Sequence, residues 1–193
     1  MIVVDVETTG IDPKKHSIVS IGAVSFYNPE NQFYDECRIW EGAETTEEAL
    51  NINGFSEEET RNFNKKTLEE AIKKFWGWTD NIKNKIIAGE NPNFDRDFLK
   101  ASAERYGIKW VFGYRTVDLH SLCYINYLKR KLNPPDKLNT DKTLNYVGMP
   151  SEPRPHNALT GAKMEAEAFS RIIYGKPLLK EFEKYPVPDF LKS

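Results

Sequence analysis

Residues 1–10 read Met1-Ile2-Val3-Val4-Asp5-Val6-Glu7-Thr8-Thr9-Gly10. Ile2, Val3, Val4 and Val6 are apolar and β-branched, and Gly10 ends the run, so the stretch predicts a strand. Side chains alternate along a strand, so Val3, Asp5 and Glu7 share one face while Val4 and Val6 share the other. The valines call for burial, yet an ionised carboxylate is costly to desolvate unless a cation meets it. Two acids side by side on such a strand therefore suggest a bound metal ion. A bare Asp-x-Glu, taken alone, reads first as an exposed strand face with two solvated acids. The rest of the chain has to decide between them.

The sequence has 193 residues, 39% of them hydrophobic, which suffices for one domain with a sizeable core. We expect a single domain over 1–193, with its core at about 2–174 and a tail over 175–193. The formal net charge of −2 excludes broad nonspecific attraction to polyanions. Any contact with nucleic acid has to come from local lysines or from metal ions. Cys37 and Cys123 lie in neither a C-x-x-C nor a zinc-like spacing. Both read as small buried side chains, which fits a reducing compartment. Asp5 and Glu7 interrupt the only candidate leader, and no run approaches the ~18 apolar residues of a membrane span. The expectation is a soluble, cytoplasmic protein with no membrane partner.

Downstream, Ile18–Tyr27 and Gln32–Trp40 predict two more strands around the Asn28–Asn31 turn, forming a meander with the first. His16, in the preceding loop, reads as a surface residue. Residues 41–66 are polar and helix-poor outside a short segment containing Phe55. That ring either packs on the core or offers a stacking face to a base, worth roughly 1–3 kcal/mol. Thr67 and Glu70 form a capping box for a helix with Leu68, Ala71, Ile72, Phe75 and Trp76 on one face. The Lys85–Gly89 strand follows, completing an α/β crossover. Asn93 is placed to cap the next helix, with Asp95 in its first turn, where the helix dipole favours an anion without any further function. Tyr114–Val117 predicts a last strand, and Asp118 a helix cap. Residues 132–155 hold five prolines and read as loop with a short helix around 143–147. A final helix runs from His156 to about Tyr174, with Ala158, Ala162, Ala166, Phe169 and Ile173 as its apolar stripe. Gly161 inside that helix costs on the order of 1 kcal/mol relative to alanine and calls for an explanation.

Three blocks now stand in order: Asp5-x-Glu7-Thr8-Thr9-Gly10, Asn91-Pro92-Asn93-Phe94-Asp95-x-x-Phe98-Leu99 and His156-Asn157-Ala158-Leu159. Together they resemble the DEDDh group of 3′–5′ exonucleases, the DnaQ-like proofreading superfamily, over roughly residues 2–174. The Ala49–Phe55 stretch is similar to a segment of its ribonuclease-T-like and oligoribonuclease-like members. The resemblance implies an α/β, ribonuclease-H-like fold with a mixed five-stranded sheet flanked by helices. It implies two Mg²⁺ or Mn²⁺ ions, with Asp5 bridging both, Glu7 on the first and Asp95 helping to hold the second. Hard dications prefer such oxygen ligands. His156 becomes the general base for the attacking water, a task suited to a group titrating near neutrality. Thr8, Thr9, Gly10 and Ile11 line the pocket for the terminal nucleotide. The implied partners are single-stranded DNA or RNA 3′ ends, with no preference between them legible and oligomeric state left open.

One position departs from the pattern. The family's fourth carboxylate lies five residues after the histidine, where this chain has Gly161. Three readings follow: a natural member that binds nucleic acid or a partner without cleaving it, an introduced change, or replacement by another acid. Glu165 is the candidate substitute, one helical turn on and leaning towards the N-terminus. The two functional expectations are a metal-dependent exonuclease, weakened by Gly161, and a catalytically inactive exonuclease-like binding or scaffold domain.

Overall fold

The computed structural model describes residues 1–192, so Ser193 of the expected tail lies outside the described residues. Five strands form one mixed sheet: β1 (Ile2–Thr8), β2 (Ile18–Ser25), β3 (Gln32–Glu36), β4 (Ile87–Gly89) and β5 (Thr116–Asp118). Their order is β3-β2-β1-β4-β5. β1 runs antiparallel to β2 and parallel to β4, and β4 is parallel to β5. β1 is thus the central strand, covered on both faces, which accounts for its nearly unbroken apolar run. The helices are α1 (Glu47–Asn53), α2 (Glu57–Thr60), α3 (Leu68–Thr79), α4 (Pro92–Arg105), α5 (Leu119–Lys129), α6 (Thr140–Tyr146) and α7 (Ala158–Tyr174). None of the described helices is long and apolar enough to cross a membrane.

Strand periodicity divides the core. Ile2, Val4 and Val6 pack with Leu68, Phe75, Phe98 and Leu99 of α3 and α4. Val3 points the other way, into a cluster with Ala162, Ala166 and Phe169 of α7. Asp5 and Glu7 share the face of Val3, the one that α7 covers. α7 reaches that face closely because β2 offers a glycine there. Gly22 pairs with Asp5 across the sheet, and a Cβ on it would overlap the backbone of Ala158 and Leu159. The first turn of α7 therefore rests on β2 immediately beside Asp5.

Several local expectations need correction. The third strand stops at Glu36, because the chain leaves the sheet to bridge Arg38 to Thr67. The 41–66 region holds two helices, separated at Gly54, which takes φ 76°, and the second is started by a Ser56–Glu59 capping box. Asn91, not Asn93, precedes α4. It adopts the left-handed conformation (φ 51°) that asparagine tolerates, and Pro92 occupies the first turn, where its missing N–H costs nothing. His16 is buried, its ring against Gly10 and its Nδ1 accepting from the Asp12 amide at 3.0 Å, so it closes the 10–16 loop. Ile173 lies 45% exposed, because α7 has run beyond the sheet by its last turn. The 175–192 segment instead covers α7 through Leu178, Phe182, Val187 and Leu191.

Candidate active site

The site forms at the C-terminal end of β1, where β4 stops. β1 pairs with β4 only through Ile2 and Val3, and the chain then turns into α4. The Val6 amide would otherwise lack a ladder partner on that side. Asp95, in the first turn of α4, accepts its hydrogen bond at 3.0 Å. A residue 89 positions away in sequence thus extends the sheet with its side chain, and its carboxylate is fixed beside Asp5 and Glu7. Asp5 is the one residue of β1 left partly open, while Glu7 and Asp95 are buried.

α7 brings the next elements. Asn157 caps it, its Oδ1 accepting from the Leu159 and Thr160 amides, while its Nδ2 donates to Tyr34 Oη. His156 stands just outside the helix, and its backbone amide donates to the Ile52 carbonyl of α1 at 3.0 Å. Its Nδ1 lies 3.6 Å from Glu152 Oε2. Glu7, Glu152 and His156 present ligand atoms all within 4.8 Å of one another. Glu152, in the proline-rich 147–157 loop, has no motif to announce it. Gly161 faces straight into this group, since a Cβ there would overlap Asp5 Oδ2 and lie 3.3 Å from Glu152 Oε1. Glu165 is buried one turn further on, with its Oε2 3.0 Å from the Cβ position of Gly89 on β4.

Electrostatically the cluster is frustrated. Burial, then the charges of Glu7, Glu165, Asp95 and Glu152, hold the Asp5 carboxyl well above the usual range. Burial and Glu152 push Glu7 up to about 7. Burial raises Asp95 to about 7 against the hydrogen bond from Val6, and raises Glu152 to about 7 with help from Asp141. Glu165 is driven up by burial and by Asp95 and Glu90. Among the described residues no lysine or arginine forms an ion pair with any of these five acids. Two carboxylate oxygens, Glu152 Oε1 and Glu165 Oε2, are buried with no hydrogen-bond partner at all. Hard oxygen donors converging without a counter-charge fit divalent cations such as Mg²⁺ or Mn²⁺. His156 is shifted the other way, lowered by burial and by Arg154, and is therefore neutral near pH 7.

These shifts give a testable sign. An acid with a raised folded-state pKa binds protons more tightly folded than unfolded, so its stabilising contribution is present below about pH 4 and lost as pH rises through 7. A carboxyl moved from 4.5 to about 7 accounts for about 3 kcal/mol. The chelator-treated protein is expected to lose stability steadily from pH 5 to pH 8 in urea titrations. Added Mn²⁺ should flatten or reverse that slope, because bound cations favour the ionised acids. A metal-free stability that rises over this window would contradict the picture.

Beside the acids runs a cleft of ≈ 330 Å³, lined by Val6, Glu7, Thr8, Gly10 and Ile11 on one side and by Ala49, Ile52, Asn53 and Phe94 on the other. Ile11 is 84% exposed at its rim. The Thr8 carbonyl accepts from Asn53 Nδ2 at 3.0 Å, tying α1 to β1. Thr9 does not line the cleft; it is fully buried, donating to the Glu44 carbonyl and accepting from the Ser17 amide. Phe55 does not line it either. Its ring packs beside Val19, Ile39 and Ala43 with Lys65 Nζ 4.4 Å above it. The aromatic at the cleft is Phe94, from the block that carries Asp95. A larger cavity of ≈ 460 Å³, around Arg38, Arg61 and Tyr106, is separate and holds none of the clustered acids.

The Exonuclease (RNase T) family model matches residues 2–169. The PolC-type DNA polymerase III of Thermotoga petrophila is 30% identical over 175 residues, covering 89% of this chain and 12% of the polymerase. Ribonuclease T of Haemophilus influenzae is 28% identical over 120 residues, covering 56% and 52% of the two chains. The chain thus spans about an eighth of the first relative and about half of the second. The nuclease domain of 3′hExo, a DEDDh family member bound to rAMP, superposes with a TM-score of 0.70 at 18% identity over 93% of this chain and 94% of that one. That likeness is one of fold, and the fold is ribonuclease-H-like.

Proposed function

Because the chain belongs to the Exonuclease (RNase T) family, we propose that it removes nucleotides from single-stranded DNA or RNA 3′ ends as a metal-dependent 3′–5′ exonuclease. The observation that carries the reading is the group of buried carboxylates around Asp5, which has no protein cation and two partnerless oxygens. Asp5, Glu7 and Asp95 are the residues to hold two Mg²⁺ or Mn²⁺ ions. When bound, such a pair stabilises the attacking and leaving oxygens of an in-line phosphodiester hydrolysis.

The chain's own residues supply the rest. His156, neutral at working pH and held through its amide on Ile52, accepts the proton of the attacking water. Gly10, Ile11 and Phe94 flank the terminal base in the cleft, and Thr8 and Asn53 fix the wall against which its sugar rests. Thr9 acts behind that wall by pinning the 8–17 loop.

Gly161 favours a second reading, an exonuclease-like domain that binds 3′ ends without cleaving them. The deciding experiment follows 5′-labelled DNA and RNA oligomers with Mg²⁺, Mn²⁺ or chelator. Stepwise shortening from the 3′ end, dependent on metal, is the expected result. Retained binding with intact oligomers under every metal condition would establish the second reading instead.

A further inference from the structure

We propose that Glu152 supplies the fourth carboxylate of the metal site, in place of the acid that position 161 lacks; this rests on the two-ion reading above. The acid has moved from the last helix to the loop that leads into it. A side chain at position 161 would displace its neighbours, because Asp5 Oδ2 occupies the space a Cβ would need and Glu152 Oε1 stands at its edge, 3.3 Å away. Glycine near the start of α7 is thereby explained: its missing side chain leaves room for the Asp5 carboxylate, and Glu152 reaches the edge of the same space.

Glu152 has the attributes of a ligand waiting for a cation. Its side chain is only 9% exposed, and its Oε1, the oxygen 3.3 Å from the Cβ position of residue 161, has no hydrogen-bond partner. A buried, partnerless carboxylate oxygen is strongly unfavourable unless a ligand meets it. Its other oxygen faces His156 Nδ1, and it falls within the group formed with Glu7. The loop is built to hold it there. The Glu152 amide donates to Asp141 of α6, Pro155 packs on Gly54, and the His156 amide donates to Ile52. Glu165, the substitute expected from helical spacing, is also buried and partnerless at Oε2, but that oxygen lies against Gly89 rather than in the space at position 161.

The test uses Mn²⁺ alone, titrated into the full chain and followed by calorimetry and by the electron paramagnetic resonance of free Mn²⁺, with melting of the chelator-treated protein beside it. Glu152→Gln is expected to weaken Mn²⁺ binding at least ~10-fold, the lower bound set by outer-shell partners elsewhere. The same variant, metal-free at pH 7, should melt no lower than the native chain, because it removes a buried acid that repels its neighbours. Gly161→Asp is expected to bring no gain in Mn²⁺ affinity, since the place is taken. Unchanged affinity in Glu152→Gln, with binding lost in Asp5→Asn, would overturn the role of Glu152 and leave the two-ion reading standing. Unchanged affinity in both would overturn the two together. A tenfold gain in Gly161→Asp would show that the site lacks an acid that Glu152 does not provide.

Discussion

Asp5→Asn should reduce nucleotide release by more than about 100-fold while the fold persists and the metal-free protein melts a few degrees higher. The asparagine is isosteric, so β1 keeps its pairing with Gly22 and its place under α7. What changes is charge at the most contested point of the site. Glu7, Glu165, Asp95 and Glu152 all act on the Asp5 carboxyl, and burial acts on it more strongly than any of them. An amide there removes repulsion from every neighbour, hence the gain in metal-free stability. It also removes an anionic oxygen from the proposed metal site. Outer-shell partners already change metal affinity or activity about 10–100-fold, and a central ligand should exceed that. The measurement is single-turnover shortening of a 5′-labelled oligomer with Mn²⁺, beside thermal melts with and without chelator. Native-like rates in Asp5→Asn would sink the enzyme reading for this chain. Reduced rates together with a lower metal-free melting temperature would mean that Asp5 serves the fold instead.

How much of this could be read from residues alone differs from one acid to the next. Asp5 and Glu7 were legible as a pair because strand alternation puts them on one face of an apolar run. Asp95 was not legible by local rules, since an acid in a first helical turn needs no other function. Its role depends on the Val6 amide, 89 positions away, being left open where β4 ends. Only the order of the three sequence blocks pointed to it. Glu152 had no local signal of any kind, because a lone acid among prolines reads as a solvated loop residue. The one hint was indirect: a glycine in a helix interior, whose missing side chain marks a space something else fills. The same limit explains Phe55 and Phe94. Both are aromatics near polar segments, and only the three-dimensional course of α1 and α4 shows which one faces the cleft. The burial of His16 is hidden from the sequence for a related reason, as it comes from the loop folding its ring onto Gly10.

Arg171→Ala should destabilise the protein by about 3–5 kcal/mol, the range for breaking a buried ion pair. Arg171 is fully buried in α7 and paired with Glu167 at 2.7 Å. Its guanidinium also donates to three carbonyls, Val147 at the start of the site loop and Phe182 and Tyr185 in the C-terminal segment. Glu167 completes the clasp by accepting from the Leu178 and Leu179 amides. The pair therefore fastens residues 178–185 onto the sheet-covering helix through backbone groups, not through side chains that could repack. An ordinary buried ion pair is often replaced by apolar residues at little cost. Here the double variant Arg171→Met with Glu167→Leu should stay nearly as unstable as the single one, because three carbonyls and two amides lose their partners, the Val147 carbonyl and the Leu179 amide among them buried. Urea unfolding of the native chain, both single variants and the double variant measures the difference. Recovery of native stability in the double variant would show that charge pairing, and not backbone anchoring, is what the clasp contributes. Mn²⁺ affinity of the folded fraction should be unchanged in all three, since Arg171 lies nearly three turns beyond Gly161 on the same helix.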